Sequence, residues 1–104
     1  MPFAAYGEGI SEVNTVHPAC INPLVTKTDG GSSNVLVNGI KACRIDDLSF
    51  THPVPGPSVC NAHATKLTKA STTVFVNGKG MGRVNDTYEC TASITTGSPN
   101  VRVN

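Results

Sequence analysis

Three histidines and four cysteines hold most of the chemistry available to this chain of 104 residues. Six of the seven, His17, Cys20, His52, Cys60, His63 and Cys90, fall in long connecting stretches, while Cys43 falls in a segment that reads as a hairpin. Imidazole and thiolate are the donors that tetrahedral Zn²⁺ prefers, and four of them drawn from separate stretches would tie a loop-rich end together with folding energy. Two ligand sets fit the spacing. The first is His17, His52, His63 and Cys90: His63 lies 14 residues before Asn77 and Cys90 lies 14 before Asn104, while His52 follows Asp47 by five residues and Cys90 follows Asp86 by four. The second joins His17-Pro-Ala-Cys20 to Cys60-Asn-Ala-His63, two pairs at the spacing of a Cys2His2 site. A third reading leaves these side chains as ordinary loop imidazoles and buried thiols.

The elements that must position these donors repeat. Residues 33–47 read SNVLVNGIKACRIDD and residues 72–86 read TTVFVNGKGMGRVND, and the second Asn-Gly lies 39 residues after the first. Asn-Gly between apolar runs supplies the two positive φ angles of a type I′ turn, so Asn38-Gly39 and Asn77-Gly78 each predict a β-hairpin. A third copy, Ser98-Pro99-Asn100-Val101-Arg102-Val103-Asn104, stops at the Asn, and Ala4 to Glu8 reads as a degenerate return strand with Glu8 matched to Asp47 and Asp86. The expected organisation is one domain, 1–104, of three units, 8–38, 47–77 and 86–104, joined by two hairpins. So short a unit cannot bury an apolar face alone, and three copies are expected to close around a pseudo-threefold axis. With the hairpins as a base, the connections converge on the opposite end.

Composition agrees with an all-β chain. Leu, Ile, Val and Phe total 24 residues, half of them Val, and there are 12 Thr, so β-branched residues dominate a thin core. A net charge of +1 and five aromatic residues argue against a nucleic-acid partner. No apolar run approaches the roughly 20 residues that span a bilayer, and no signal peptide is evident, so synthesis in the cytoplasm is expected. Gly78-Lys79-Gly80-Met81-Gly82 lacks the Lys-Ser/Thr ending of a phosphate loop and reads as hairpin. Asp47 and Asp86 share a position that suits turn hydrogen bonds or pairing with Arg44 and Arg83, and Cys43 is expected to pack as a small buried residue.

Strand, Asn-Gly, a tetrad (Lys41-Ala42-Cys43-Arg44, then Gly80-Met81-Gly82-Arg83) and an acidic residue, interleaved with stretches carrying His and Cys, resemble the PAAR-repeat proteins along essentially the whole chain. Neither tetrad is literally Pro-Ala-Ala-Arg. The resemblance implies a small cone of three hairpin units whose tip holds one structural Zn²⁺ by three His and one Cys, here His17, His52, His63 and Cys90. It implies a base seated on a trimeric β-helical spike, one copy per trimer, at the tip of a contractile phage tail or a bacterial type VI secretion apparatus. The point would be driven through a target cell's envelope with only transient membrane contact, no small-molecule substrate and no bond broken. Gly80, Gly82 and Ala42 are the small residues expected to let the base lie flat. The alternatives are a zinc-stapled interaction module for another partner, a small metalloenzyme with a three-ligand site, and a disulfide-stapled secreted domain.

Overall fold

An Asn-Gly pair between apolar residues has little choice of backbone, because only residues that tolerate positive φ can turn two strands so tightly. In a computed structural model of the chain, Asn38 and Gly39 take φ of 52° and 80°, and Asn77 and Gly78 take 54° and 77°. The structure describes residues 2–14, 25–49, 52–54, 61–89 and 92–104, and of residues 25, 52–54 and 61–63 it describes the backbone. Nine short strands follow in chain order: β1 Glu12–Asn14, β2 Val25–Lys27, β3 Leu36–Val37, β4 Ile40–Lys41, β5 His52–Val54, β6 Asn61–His63, β7 Phe75–Val76, β8 Lys79–Gly80 and β9 Ser93–Ile94. They form a three-stranded sheet β2-β1-β9 and the hairpins β3-β4, β5-β6 and β7-β8, every pairing antiparallel. The protein is a small all-β fold, and no helix occurs among the described residues.

The two predicted hairpins have a third counterpart made from both ends of the chain. Phe3 bridges Arg102 as Leu36 pairs Lys41 and Phe75 pairs Gly80, and Val103 N–H donates to Pro2 O at 2.8 Å. The hydrogen bonds Ala42 N to Val35 O, Met81 N to Val74 O and Ala4 N to Val101 O, at 3.0, 2.9 and 2.8 Å, occupy the same place in the three ladders.

The ladders are joined by bonds that close on themselves. Ala5 N–H donates to Gly82 O at 3.0 Å, Gly82 N–H to Cys43 O at 2.8 Å, and Cys43 N–H to Ala5 O at 3.3 Å. A second closed set surrounds the first: Gly7 N to Lys41 O, Ile45 N to Gly80 O and Val84 N to Phe3 O, at 2.8, 2.9 and 2.9 Å. Such cycles leave few exposed edges for a β-chain with a modest core to protect.

The cycles correct one register. The first copy runs at an offset of 38 from the second rather than 39, so Glu8 matches Asp46 and Asn85 instead of Asp47 and Asp86. All three take left-handed φ, at 56°, 73° and 80°. Asp47 and Asp86 fulfil the pairing role read for them. Asp47 accepts from Arg44 Nε and Nη2 at 3.0 Å each, and Asp86 from Arg83 Nε and Nη2 at 2.9 Å each. Each also accepts its arginine's own N–H, at 2.9 and 2.8 Å, and where the first copy has Tyr6 the Ser11 hydroxyl oxygen accepts the Tyr6 N–H at 2.8 Å.

Packing follows the same plan. Val37, Val76 and Val103 turn inward with Ala4, Ala42, Met81 and Tyr6 to form one buried cluster. Ala5, Cys43, Leu67, Tyr88, Val13 and Ile94 belong to a second, and the fully buried Thr28 donates its hydroxyl to Tyr6 O at 2.6 Å. Closing the third ladder covalently is therefore expected to be tolerated. A circular permutant reading Val103-Asn104-Gly-Pro2, with glycine in place of Met1 and new ends elsewhere in a surface turn, recreates the Val-Asn-Gly of the other two hairpins. Its melting temperature is expected to lie within a few degrees of the parent chain or above it, since a compatible short closure restricts the unfolded chain.

Candidate functional site

Of the residues expected to bind metal, two have their backbones described, and the fold brings them together. His52 and His63 were expected in open connections; they lie instead on β5 and β6, where they are directly opposite each other, followed by the pairs Pro53–Ala62 and Val54–Asn61. Opposite positions of an antiparallel ladder share one face, with Cβ atoms about 4.5–5.5 Å apart. Pro53, which has no N–H to give a central ladder, is accommodated because this sheet has two strands.

His17, Cys20, Cys60 and Cys90 lie outside the described residues. The roots of their connections are nonetheless defined. Asn14 pairs with Val25 on either side of residues 15–24, Val54 pairs with Asn61 on either side of 55–60, and Tyr88 N–H donates to Ala92 O at 2.8 Å across 89–91. Those roots interlock. Asn14 also pairs with Ser93, Leu67 bridges Tyr88, and Glu89 N–H donates to Lys66 O at 2.9 Å, three residues beyond His63. Among the described residues there is no group of three or more His, Cys, Asp or Glu side chains able to hold a metal ion.

No protein-family model matches the chain, and a search of curated proteins finds no relative. The functional argument therefore rests on the residues themselves.

The hairpin end is built by a motif that the sequence reading passed over. Ser32, Ser71 and Ser98 are buried, and each hydroxyl oxygen accepts the N–H of the residue three positions on, Val35, Val74 or Val101, at 2.9 Å in all three cases. Small hydroxyl side chains close such local turns readily. Ser98 and Ser32 then each meet the turn asparagine of another hairpin, and Ser71 meets the backbone of Asn104, the matching residue of the third ladder. Asn38 Nδ2 donates to Ser98 Oγ at 2.9 Å, Ser32 Oγ donates to Asn77 Oδ1 at 2.6 Å, and Ser71 Oγ donates to the Asn104 carbonyl at 2.5 Å. The signal was present as Ser-x-x-Val three times over.

The outward face of this end differs from expectation. Ala42, Gly80 and Gly82 are all buried, and a Cβ on Gly82 would stand 3.1 Å from Leu67 Cδ2 and 3.2 Å from Cys43 Cβ, so the three do not form the flat outer surface expected of them. The reason is strand alternation. With Val37 and Val76 turned into the core, their neighbours Leu36 and Phe75 turn out, at 56% and 61% exposure.

Cys43 is buried as expected. Burial first, and then the nearby Asp47 charge, push its thiol up to about 12 from 9.0. In the unfolded chain that thiol ionises near its ordinary value, so above it the unfolded state binds fewer protons than the native state and stability falls as pH rises. The expected loss is up to about 1.4 kcal/mol per pH unit. Urea unfolding at a series of pH values above 9 should show this slope in the parent chain and a shallower one in Cys43→Ala. Alanine fits there because Ala5 holds the equivalent place in the cycle of hydrogen bonds.

Proposed function

We propose that this chain is a pseudo-threefold cap seated on the end of a trimeric β-helical spike, its far end drawn to a zinc-pinned point, as the resemblance to PAAR-repeat proteins implies. The owner would be a contractile phage tail or a type VI secretion apparatus. The observation that carries the reading is the pair of closed hydrogen-bond cycles linking residues 5, 43 and 82, and then residues 7 and 41, 45 and 80, 84 and 3. A true trimer ends in three equivalent surfaces, and one chain with three near-equivalent hairpins meets all three at once.

Zinc at the other end would be held by His17, His52, His63 and Cys90, supplying a structural cross-link where the core is thin. The register partnership of His52 with His63 supports this set over the pairs His17/Cys20 and Cys60/His63, which leave His52 out. In this reading the work is mechanical: a stiff apex concentrates the force of contraction. Native mass spectrometry after co-expression with a trimeric β-helical spike protein is expected to give one chain per trimer. Three chains per trimer, or a stable trimer of this chain alone, would contradict the cap and favour an independent interaction module.

A further inference from the structure

The three seams between neighbouring hairpins share one backbone plan and are filled differently. Lys41, Gly80 and Phe3 hold matching places, their carbonyls accepting the N–H of Gly7, Ile45 and Val84, and their cross-strand partners are Leu36, Phe75 and Arg102. Lys41 spans its seam to Glu8, Nζ to Oε1 3.0 Å. Phe3 carries a ring at the same place, 4.6 Å from the guanidinium carbon of Arg102, its partner in the same ladder. At the third seam Gly80 brings no side chain, and a groove of about 500 Å³ lies open there, with Ala70 and Gly80 at its floor, Ile45 and Phe75 along it, and Lys69 and Thr72 beside them.

The chain cannot fill this groove from its own strand. A Cβ on Gly80 would collide with the Ser71 carbonyl oxygen and approach the Ala70 methyl to 3.2 Å. At the matching positions in the other units the facing residue is Gly31 or Gly97, and there the strand residue does carry a side chain. The groove thus lies where the other two strands carry a side chain, Lys41 or Phe3, and this one carries none.

We propose that this groove receives one aromatic side chain from a protein partner seated on the hairpin end of the molecule. Phe3 beside Arg102 is the internal template: a ring laid against the outward residue of the neighbouring strand. The lining selects the ring over the other template, Lys41. Ile45, Ala70 and Phe75 are apolar, Lys69 repels a second ammonium group and attracts a ring face, and among the described residues no carboxylate lines the groove to take the part Glu8 plays for Lys41. Among the described residues one of the three matching strand positions, Gly80, carries no side chain, so on a threefold partner one subunit is gripped differently from the other two. The proposal leans on the cap reading for that partner's symmetry alone.

The test is an amide titration of the full ¹⁵N-labelled chain with N-acetyl-phenylalaninamide, N-acetyl-leucinamide and N-acetyl-lysinamide. The phenylalanine probe is expected to shift the amides of Ala70, Ser71 and Gly80 saturably, binding about three- to tenfold more tightly than the leucine probe. Phe75→Ala, which alters an exposed side chain and leaves the core intact, is expected to weaken that binding, and Ala70→Leu to abolish it. Non-saturating shifts, equal response at Lys41 and Phe3, or a preference for the leucine or lysine probe would overturn the proposal. So would self-association that Phe75→Ala removes, since the occupant would then be a second copy. Binding of the ring without any spike complex would sink the cap and spare the groove; a one-per-trimer complex indifferent to Phe75→Ala would do the reverse.

Discussion

Asp86→Ala is expected to lower the unfolding free energy by about 3–5 kcal/mol, the cost of removing one partner from a buried ion pair. The carboxylate is 2% exposed and accepts three hydrogen bonds from Arg83: its backbone N–H at 2.8 Å and Nε and Nη2 at 2.9 Å each. Those side-chain hydrogen bonds raise the Arg83 guanidinium above its usual pKa, and even without them a guanidinium keeps its proton, so the arginine cannot escape by neutralising. Alanine would take these acceptors from a backbone donor and from a guanidinium whose side chain is only 17% exposed. At about 4–8 °C per kcal/mol for a domain of this size, the melting temperature should fall by well over 10 °C. Asp47→Ala is expected to cost less. Arg44 retains Asn77 Oδ1 at 3.3 Å and Gly31 O at 3.4 Å as substitute acceptors. Equal losses at the two sites would argue against this account of the pair.

The second large effect is expected at Gly97. A Cβ there would collide with the Ala4 carbonyl oxygen and come within 2.8 Å of Val84 Cγ2. The carbonyl cannot move aside cheaply, because it accepts the Ser98 N–H at 2.8 Å in the ladder that unites the two ends of the chain. Gly97→Ala should therefore cost about 2–3 kcal/mol, in the range of overpacked interiors. Gly31→Ala is the internal control. Its nearest neighbours would be Lys41 Cβ at 3.1 Å and the Ala42 carbonyl oxygen at 3.3 Å, and the matching position in the next unit already carries Ala70, so less than about 1 kcal/mol is expected. Thermal unfolding of the two variants side by side checks the contrast.

What could be read from the residues was what local sterics dictate. Asn38-Gly39 and Asn77-Gly78 turn as expected because few other dipeptides accept two consecutive positive φ angles. The burial of Cys43 and the Arg44–Asp47 and Arg83–Asp86 pairs followed from repeat position. Closure was half legible: Val101 to Asn104 and Ala4 to Glu8 were recognised as repeat fragments, but their pairing with each other is a contact across nearly the whole chain and leaves no local signal. The offset of 38 in the first copy was hidden for a similar reason, since Glu8 and Asp47 are both acidic while the left-handed φ that places Glu8 beside Asp46 is a backbone property. Strands at His52 and His63 were missed because His-Pro-Val and Asn-Ala-His show neither apolar alternation nor β-branched runs. The outward face was misassigned through treating Gly82 and Ala42 as surface, although inward valines at 37 and 76 oblige Leu36 and Phe75 to face out.

The central claim is that three near-equivalent units, closed at one end by cyclic hydrogen bonds, are pinned at the other by a single zinc ion. Metal analysis of the purified chain alongside Cys90→Ser and His63→Ala tests it most directly. The account predicts about one zinc per parent chain and its loss from both variants. A parent chain prepared with zinc available that carries none, or variants that retain a full equivalent, would contradict it.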